Sequence, residues 1–157
     1  MSKGKSPDQK QSPSYRGLSA SSEGDSRRAR AASGKSDTKC EVALRRSIWR
    51  MGLRYRVCPV DVPGQPDIVF RRQRVAVFCD GDFWHGRNLK ERLRRLAHGH
   101  NSEYWMTKIR TNVERDARIS NELRADGWTV LRFWESDILR DPMHVAGVVL
   151  DMVRRTD

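Results

Sequence analysis

No apolar run in this chain is long enough to cross a bilayer, and its first residues lack the apolar core of a secretory signal. Both absences argue against a membrane partner and place the expected protein in the cytoplasm. Cysteine is scarce: Cys40, Cys58 and Cys79 are odd in number, widely spaced and without a CxxC pair. They carry no structural zinc signature and read as free thiols of a reducing compartment. Negative charge is in deficit, with 20 Asp and Glu against 31 Lys and Arg, a net +11 and a pI near 10.3. Such an excess makes a polyanion the expected partner, with nucleic acid the first candidate. The plainer alternative is a basic soluble protein kept monomeric by its own charge. There is no internal repeat, and 157 residues suit one domain plus a tail.

The tail is residues 1–36, rich in Ser, Gly, Lys and Arg. A segment so poor in apolar side chains cannot offset its ordering entropy, so disorder is expected. Its Arg27-Arg28-Ala29-Arg30 run fits a phosphate backbone and equally fits a solvated tail. The folded domain is expected over 37–157. Thr38 and Glu41 have capping-box spacing, with Asp37 an alternative cap, ahead of a helix that Gly52 ends. Leu53 to Val57 reads as a strand broken by Pro59. Two more strands follow, then a basic segment, a long helix from Asn101 to about Asp126, a strand from Trp128 to Trp134 and two closing helices. The last of those strands is apolar on both faces, so a central place is expected. The order predicts an α/β fold, a small mixed β-sheet flanked by helices.

The densest chemistry lies between Pro63 and His85. Ile68-Val69-Phe70 and Val75 to Cys79 are short apolar runs around a polar turn. If Phe70 pairs with Val75, Asp67 falls opposite Phe78, and alternation puts Asp67, Phe78 and Asp80 on one face. Carboxylates on that diagonal stand about 7–8 Å apart, and a hard divalent cation such as Mg²⁺ would relieve their repulsion. Asp67 and Asp80 are therefore the candidate metal ligands. Glu41, in the first helical turn, is either a cap or an outer ligand. His85 ends a Gly-bounded loop. Phe83-Trp84 in that loop is either a plug folded onto the core or a wedge between base pairs. Arg87, Lys90, Arg92, Arg94 and Arg95 follow as candidate phosphate contacts, or as an exposed helix face.

Five collinear segments carry a resemblance: DTKCEVALRRSIWRMGLRYRV, PGQPDIVF, VAVFCDGDFWH, EYWMTKIRTNVERD and GWTVLRFWES. From about Asp37 to Asp137 the chain resembles the very-short-patch-repair (Vsr) DNA mismatch endonucleases, of the restriction-endonuclease-like PD-(D/E)xK superfamily. The resemblance implies a Mg²⁺-dependent nick in one strand of double-stranded DNA beside a T·G mismatch left by deamination of 5-methylcytosine. It makes Asp67 the central metal ligand and Glu41 a residue acting through metal-bound water. It makes His85 a general base or proton relay, and Phe83-Trp84 the wedge. Where better-known members have Thr-His this chain has Cys79-Asp80, so Asp80 is expected to replace a histidine at the metal. At the family's structural zinc positions stand Asp82, Arg87, Leu89 and Ser136, and no structural zinc is expected. A monomer on nucleoid DNA is expected, with a mismatch-repair protein the candidate accessory partner. Two other readings remain open: a restriction-type enzyme for foreign or modified DNA, and a DNA-binding module without catalysis.

Overall fold

In the computed structural model, which describes residues 37–99 and 101–156, the first helix is α1 (Lys39–Arg50). The tail and its expected disorder lie outside the described residues. The cap falls on Thr38. Its Oγ1 accepts the Glu41 N–H at 3.4 Å and donates to Glu41 Oε1 at 2.8 Å, while Glu41 Oε2 takes the Asp37 N–H at 2.9 Å. At the far end the Leu53 N–H reaches back to the Ile48 carbonyl, closing α1 at Gly52.

The strand expected at Leu53–Val57 does not form. Only Arg56 pairs, exchanging two backbone hydrogen bonds of 2.9 Å with Val69. Cys58 then adopts φ +42° and Pro59 has no N–H, so the chain turns away before a second pair can close. The hairpin does form, as β1 (Ile68–Phe70) and β2 (Val75–Asp80), antiparallel with Phe70 opposite Val75 and Ile68 opposite Val77. This is the register expected from the apolar pattern.

Two helices follow, α2 (Leu89–Ala97) and α3 (Ser102–Ala125). At the end of α3, Gly127 at φ +79° lets Trp128 return its N–H to the Leu123 carbonyl and start β3 (Thr129–Trp134). β3 runs parallel to β2, in a three-stranded sheet of order β1-β2-β3. β2 is thus central, and the expectation of a central β3 is corrected. Its apolar residues on both faces meet helices above and below, not strands on either side. Then come α4 (Glu135–Arg140) and α5 (Pro142–Arg155), the latter capped by Asp141, which accepts the His144 N–H at 2.9 Å.

Two cores sandwich the sheet. On one face Leu44 and Ile48 of α1 pack with Ile68, Phe70, Val75 and Val77 against Ile138, Val149 and Val153. On the other, Ala76 and Phe78 meet Leu123, Ile119 and Val130. Each fully buried Leu or Ile contributes about 1.5–3 kcal/mol of transfer free energy. In the N-terminal half of α3 Ile109 is buried, while Trp105 and Val113 are half-buried and face the loop after β2. Among the described residues no helix is long and apolar enough to cross a membrane.

That loop touches α3 closely at Gly86, where φ is +77° and an added Cβ would stand 2.7 Å from Val113 Cγ2. Gly86→Ala is expected to lower stability by about 1–3 kcal/mol, from backbone strain and crowding together, read as a lower urea midpoint with unchanged slope.

Candidate active site

Asp67 stands just before β1. Its Oδ2 accepts the Cys79 N–H at 2.6 Å, fastening it to the end of β2. Burial, together with the negative charges of Glu41 and Asp80, pushes its carboxyl up to about 6, against the opposing pull of that hydrogen bond and of Arg45. Glu41 is buried and fully engaged in the cap. Arg45 joins it, Nη2 to Oε2 at 3.2 Å, and bridges on to Asp37 at 2.6 Å. Glu41 is therefore a cap whose charge also reaches Asp67. The side chain of Cys79 packs on the other face, with the first core and the Cys40 thiol, so position 79 offers the site its backbone.

Asp80 is 6% exposed and clamped by one side chain. Arg132 Nε donates to Oδ2 and Nη2 to Oδ1, each at 2.7 Å. Arg132 Nη1 donates to Ser120 Oγ at 3.2 Å and to the Asp116 carbonyl at 3.4 Å, and the guanidinium lies 4.5 Å from the Phe78 ring. Beside this clamp, His85 Nδ1 meets Asp116 Oδ2 at 2.5 Å and lies 3.5 Å from Asp80 Oδ1. Burial opposes the Asp116 charge. The hydrogen bond from His85 and the nearby guanidiniums of Arg132 and Arg115 outweigh it and hold that carboxyl below its ordinary range. Ligand atoms of Asp80, His85 and Asp116 all fall within 4.8 Å of one another.

The loop from Gly81 to Asn88 builds a second surface. Phe83 and Trp84 meet edge to face at 4.8 Å, and Trp105 of α3 stands 5.8 Å from Trp84. Lys108 lies 5.2 Å over Trp84 and Arg92 lies 5.0 Å over Phe83, while Asn112 Nδ2 holds the Trp84 carbonyl at 3.1 Å. Among the expected phosphate contacts, Arg87 turns inward. Its two Nη atoms fork onto Asp137 at 2.9 and 3.1 Å, and Nη1 also donates to Ser136 Oγ at 2.6 Å. Asp82 Oδ1 is buried 3.5 Å from the same nitrogen. Arg87, expected as a phosphate contact, here ties the loop to α4. Lys90 and Arg94 are exposed, and Arg95 pairs at the surface with Glu91.

A family model described as DNA mismatch endonuclease Vsr matches residues 23–91. A type II nicking enzyme of Neisseria meningitidis serogroup C is 40% identical over 117 residues, covering 74% of this chain and 78% of the relative. A type II nicking enzyme of Haemophilus parainfluenzae is 37% identical over 72% of this chain and 79% of its own length. The DNA mismatch endonuclease Vsr of Escherichia coli K12 is 37% identical over 63% of this chain and 62% of its own. The chain belongs to the Vsr family. It is a DNA endonuclease on the restriction-endonuclease-like fold of that family.

In this Vsr-family chain, Asp116 and Arg132 were given no role by sequence reasoning, although both lie inside the segments that carry the resemblance. Each had a signal. Asp116 sits one heptad from buried Ile109 and one from buried Leu123, an acid on an inward stripe. Arg132 interrupts an apolar strand on the face shared by Val130.

Two predictions follow from this geometry. Because the folded Asp67 carboxyl is raised from about 4 to about 6, the cation-free protein loses about 3 kcal/mol as pH rises through that window. Asp67→Asn is expected to flatten that part of the melting-temperature profile between pH 4 and pH 7. Arg87→Ala is expected to lower the melting temperature and to speed amide exchange in residues 82–87 more than in β2.

Proposed function

We propose that this endonuclease nicks one strand of duplex DNA at T·G mismatches arising from 5-methylcytosine deamination, with Mg²⁺ held at Asp67. The observation that carries the reading is the stretch Cys79–His85. It links the N–H that fixes Asp67, the His85–Asp116 pair and the aromatic pair in one continuous segment. The donor set fits a hard cation. Asp67 is a carboxylate with neighbouring negative charge at Glu41 and Asp80, and its raised pKa marks a charge that a cation would relieve. When bound there, Mg²⁺ supplies Lewis-acid polarisation of the scissile phosphate and charge neutralisation.

The chain's own residues do the rest. With Nδ1–H donated to Asp116, the Nε2 lone pair of His85 is left to accept a proton. As water oxygen bonds to phosphorus, Nε2 takes its proton. The P–O3′ bond breaks and the departing oxygen is protonated from solvent, giving a 5′ phosphate and a 3′ hydroxyl. Lys90, Arg92 and Arg94 hold the flanking backbone, and Phe83-Trp84, with Trp105 beside them, enter the base stack as a wedge. A mismatch lowers the cost of unstacking, which gives the wedge its preference. At position 79 the site uses only the backbone N–H, which any residue but proline provides. A mismatch-repair accessory protein and action as a monomer on nucleoid DNA complete the reading.

The test is a panel of labelled duplexes, matched, methylated and carrying each mismatch, with and without Mg²⁺. One-strand cleavage confined to T·G duplexes and to Mg²⁺ is expected, with Asp67→Ala inactive at near-unchanged DNA affinity. Equal cutting of matched duplexes would point to the restriction-type alternative, and nicking by Asp67→Ala would remove Asp67 from the centre.

A further inference from the structure

Asp80, His85 and Asp116 have the spacing of a cation site, yet a cation is already there as a side chain. Both Asp80 oxygens accept from the Arg132 fork at 2.7 Å, and Nη2 lies a further 3.4 Å from Asp116 Oδ1. The guanidinium is fixed from every side, by Ser120 Oγ, by the Asp116 carbonyl and by the face of Phe78. An arginine keeps its charge at any working pH, and its fork matches a carboxylate geometrically. A divalent ion between Asp80 and Asp116 would stand within contact distance of this half-buried positive charge, and the repulsion between them grows as the dielectric falls.

We propose that Arg132 is a positioning residue: a built-in cation that occupies the place between Asp80 and Asp116 and thereby fixes His85. Asp80 is then a strut, not a ligand, in place of the metal role expected of it. With Arg132 and Arg115 both 3.4 Å from its Oδ1, Asp116 turns Oδ2 to His85 Nδ1. The imidazole is thus oriented without any dissociable ion, before Mg²⁺ or DNA arrives, and the chain binds one divalent cation, at Asp67. The catalytic consequence rests on the reading of His85 given above; the cation count does not.

The experiment counts Mn²⁺ on the full chain by electron paramagnetic resonance, without DNA, and then measures nicking. One Mn²⁺ per chain is expected for the unmodified protein and also for Asp80→Asn. Arg132→Met, folded by circular dichroism, is expected to gain a second Mn²⁺ that an added Asp116→Asn removes. Its kcat on a cleavable duplex is expected to fall roughly tenfold or more with KM little changed, and Arg132→Lys, which keeps charge without the fork, to recover part of that loss. Two Mn²⁺ ions on the unmodified chain, one lost in Asp80→Asn, would overturn the proposal. So would a folded Arg132→Met that takes up no second ion, or one that nicks at the unmodified rate. Where Arg132→Met does not fold, the counts on the unmodified chain and on Asp80→Asn decide. Duplex cleavage by the unmodified chain tests the earlier reading and the ion count tests this one, so each fails independently.

Discussion

The hydrogen bond from the Cys79 N–H to Asp67 ties together everything this site uses. It exists because Phe70 pairs with Val75, which carries Asp67 alongside the end of β2. A slip of one residue would exchange the faces of the whole hairpin. Ile68 and Val77 would turn towards α3, and Asp80 would leave the face on which Arg132 and Asp116 wait. The register is held by burial: Ile68, Val69, Val75, Ala76 and Val77 are all fully buried, so a slip would exchange two packed cores at once. The same alternation sends the Cys79 thiol to the opposite core. The chemistry of residue 79 is thereby separated from that of its neighbours, and its side chain is free to differ while the amide stays in place.

The buried acids at this end of the sheet are compensated unequally. Glu41 has the first turn of α1 and Arg45. Asp80 has both arms of Arg132, and Asp116 has His85 and a share of Arg132. Asp67 has one backbone N–H and stands among like charges, and burial with those charges pushes its carboxyl up to about 6. Added positive charge beside Asp67 would relieve both the burial and the repulsion. On the proposal for Arg132, the carboxylates it holds compete weakly for a second cation.

The hairpin, the caps and the helical order were legible because each rests on local periodicity or on a capping residue. Thr38 and Gly52 both act where their positions in the sequence said they would. The strand expected at Leu53–Val57 failed because a run of strand-forming residues is not a strand without a partner, and the φ of Cys58 turns the chain away after one pair. A strand that is apolar on both faces needs packing above and below it but no strand on either side, so β3 can lie at the edge of the sheet. Asp116 and Arg132 were missed for a different reason. Their meaning is a contact between α3, β2 and β3, and no spacing within any one of those elements encodes it. Arg87 shows the converse: a basic side chain in a basic stretch, read as surface, is held by Asp137 and Ser136 from a distant helix.

The aromatic pair in the loop illustrates how burial separates a plug from a wedge. A plug would belong to a core, and among the described residues neither core includes Phe83, Trp84 or Trp105. These rings are half-buried, packed on one another edge to face, and Lys108 and Arg92 lie over the faces of Trp84 and Phe83. Such a cluster is stable in water because each ring covers part of its neighbour and the cations favour the ring faces. It nevertheless leaves the rings only half-buried, and on the proposed reading a nucleobase stacks there, a contact worth about 1–3 kcal/mol. The loop is fixed to α4 through Arg87 and to α3 through both Asn112 and the His85–Asp116 pair. On the proposed reading, insertion of the rings and placement of the imidazole are then one event, since a loop held at three points cannot move one without the other.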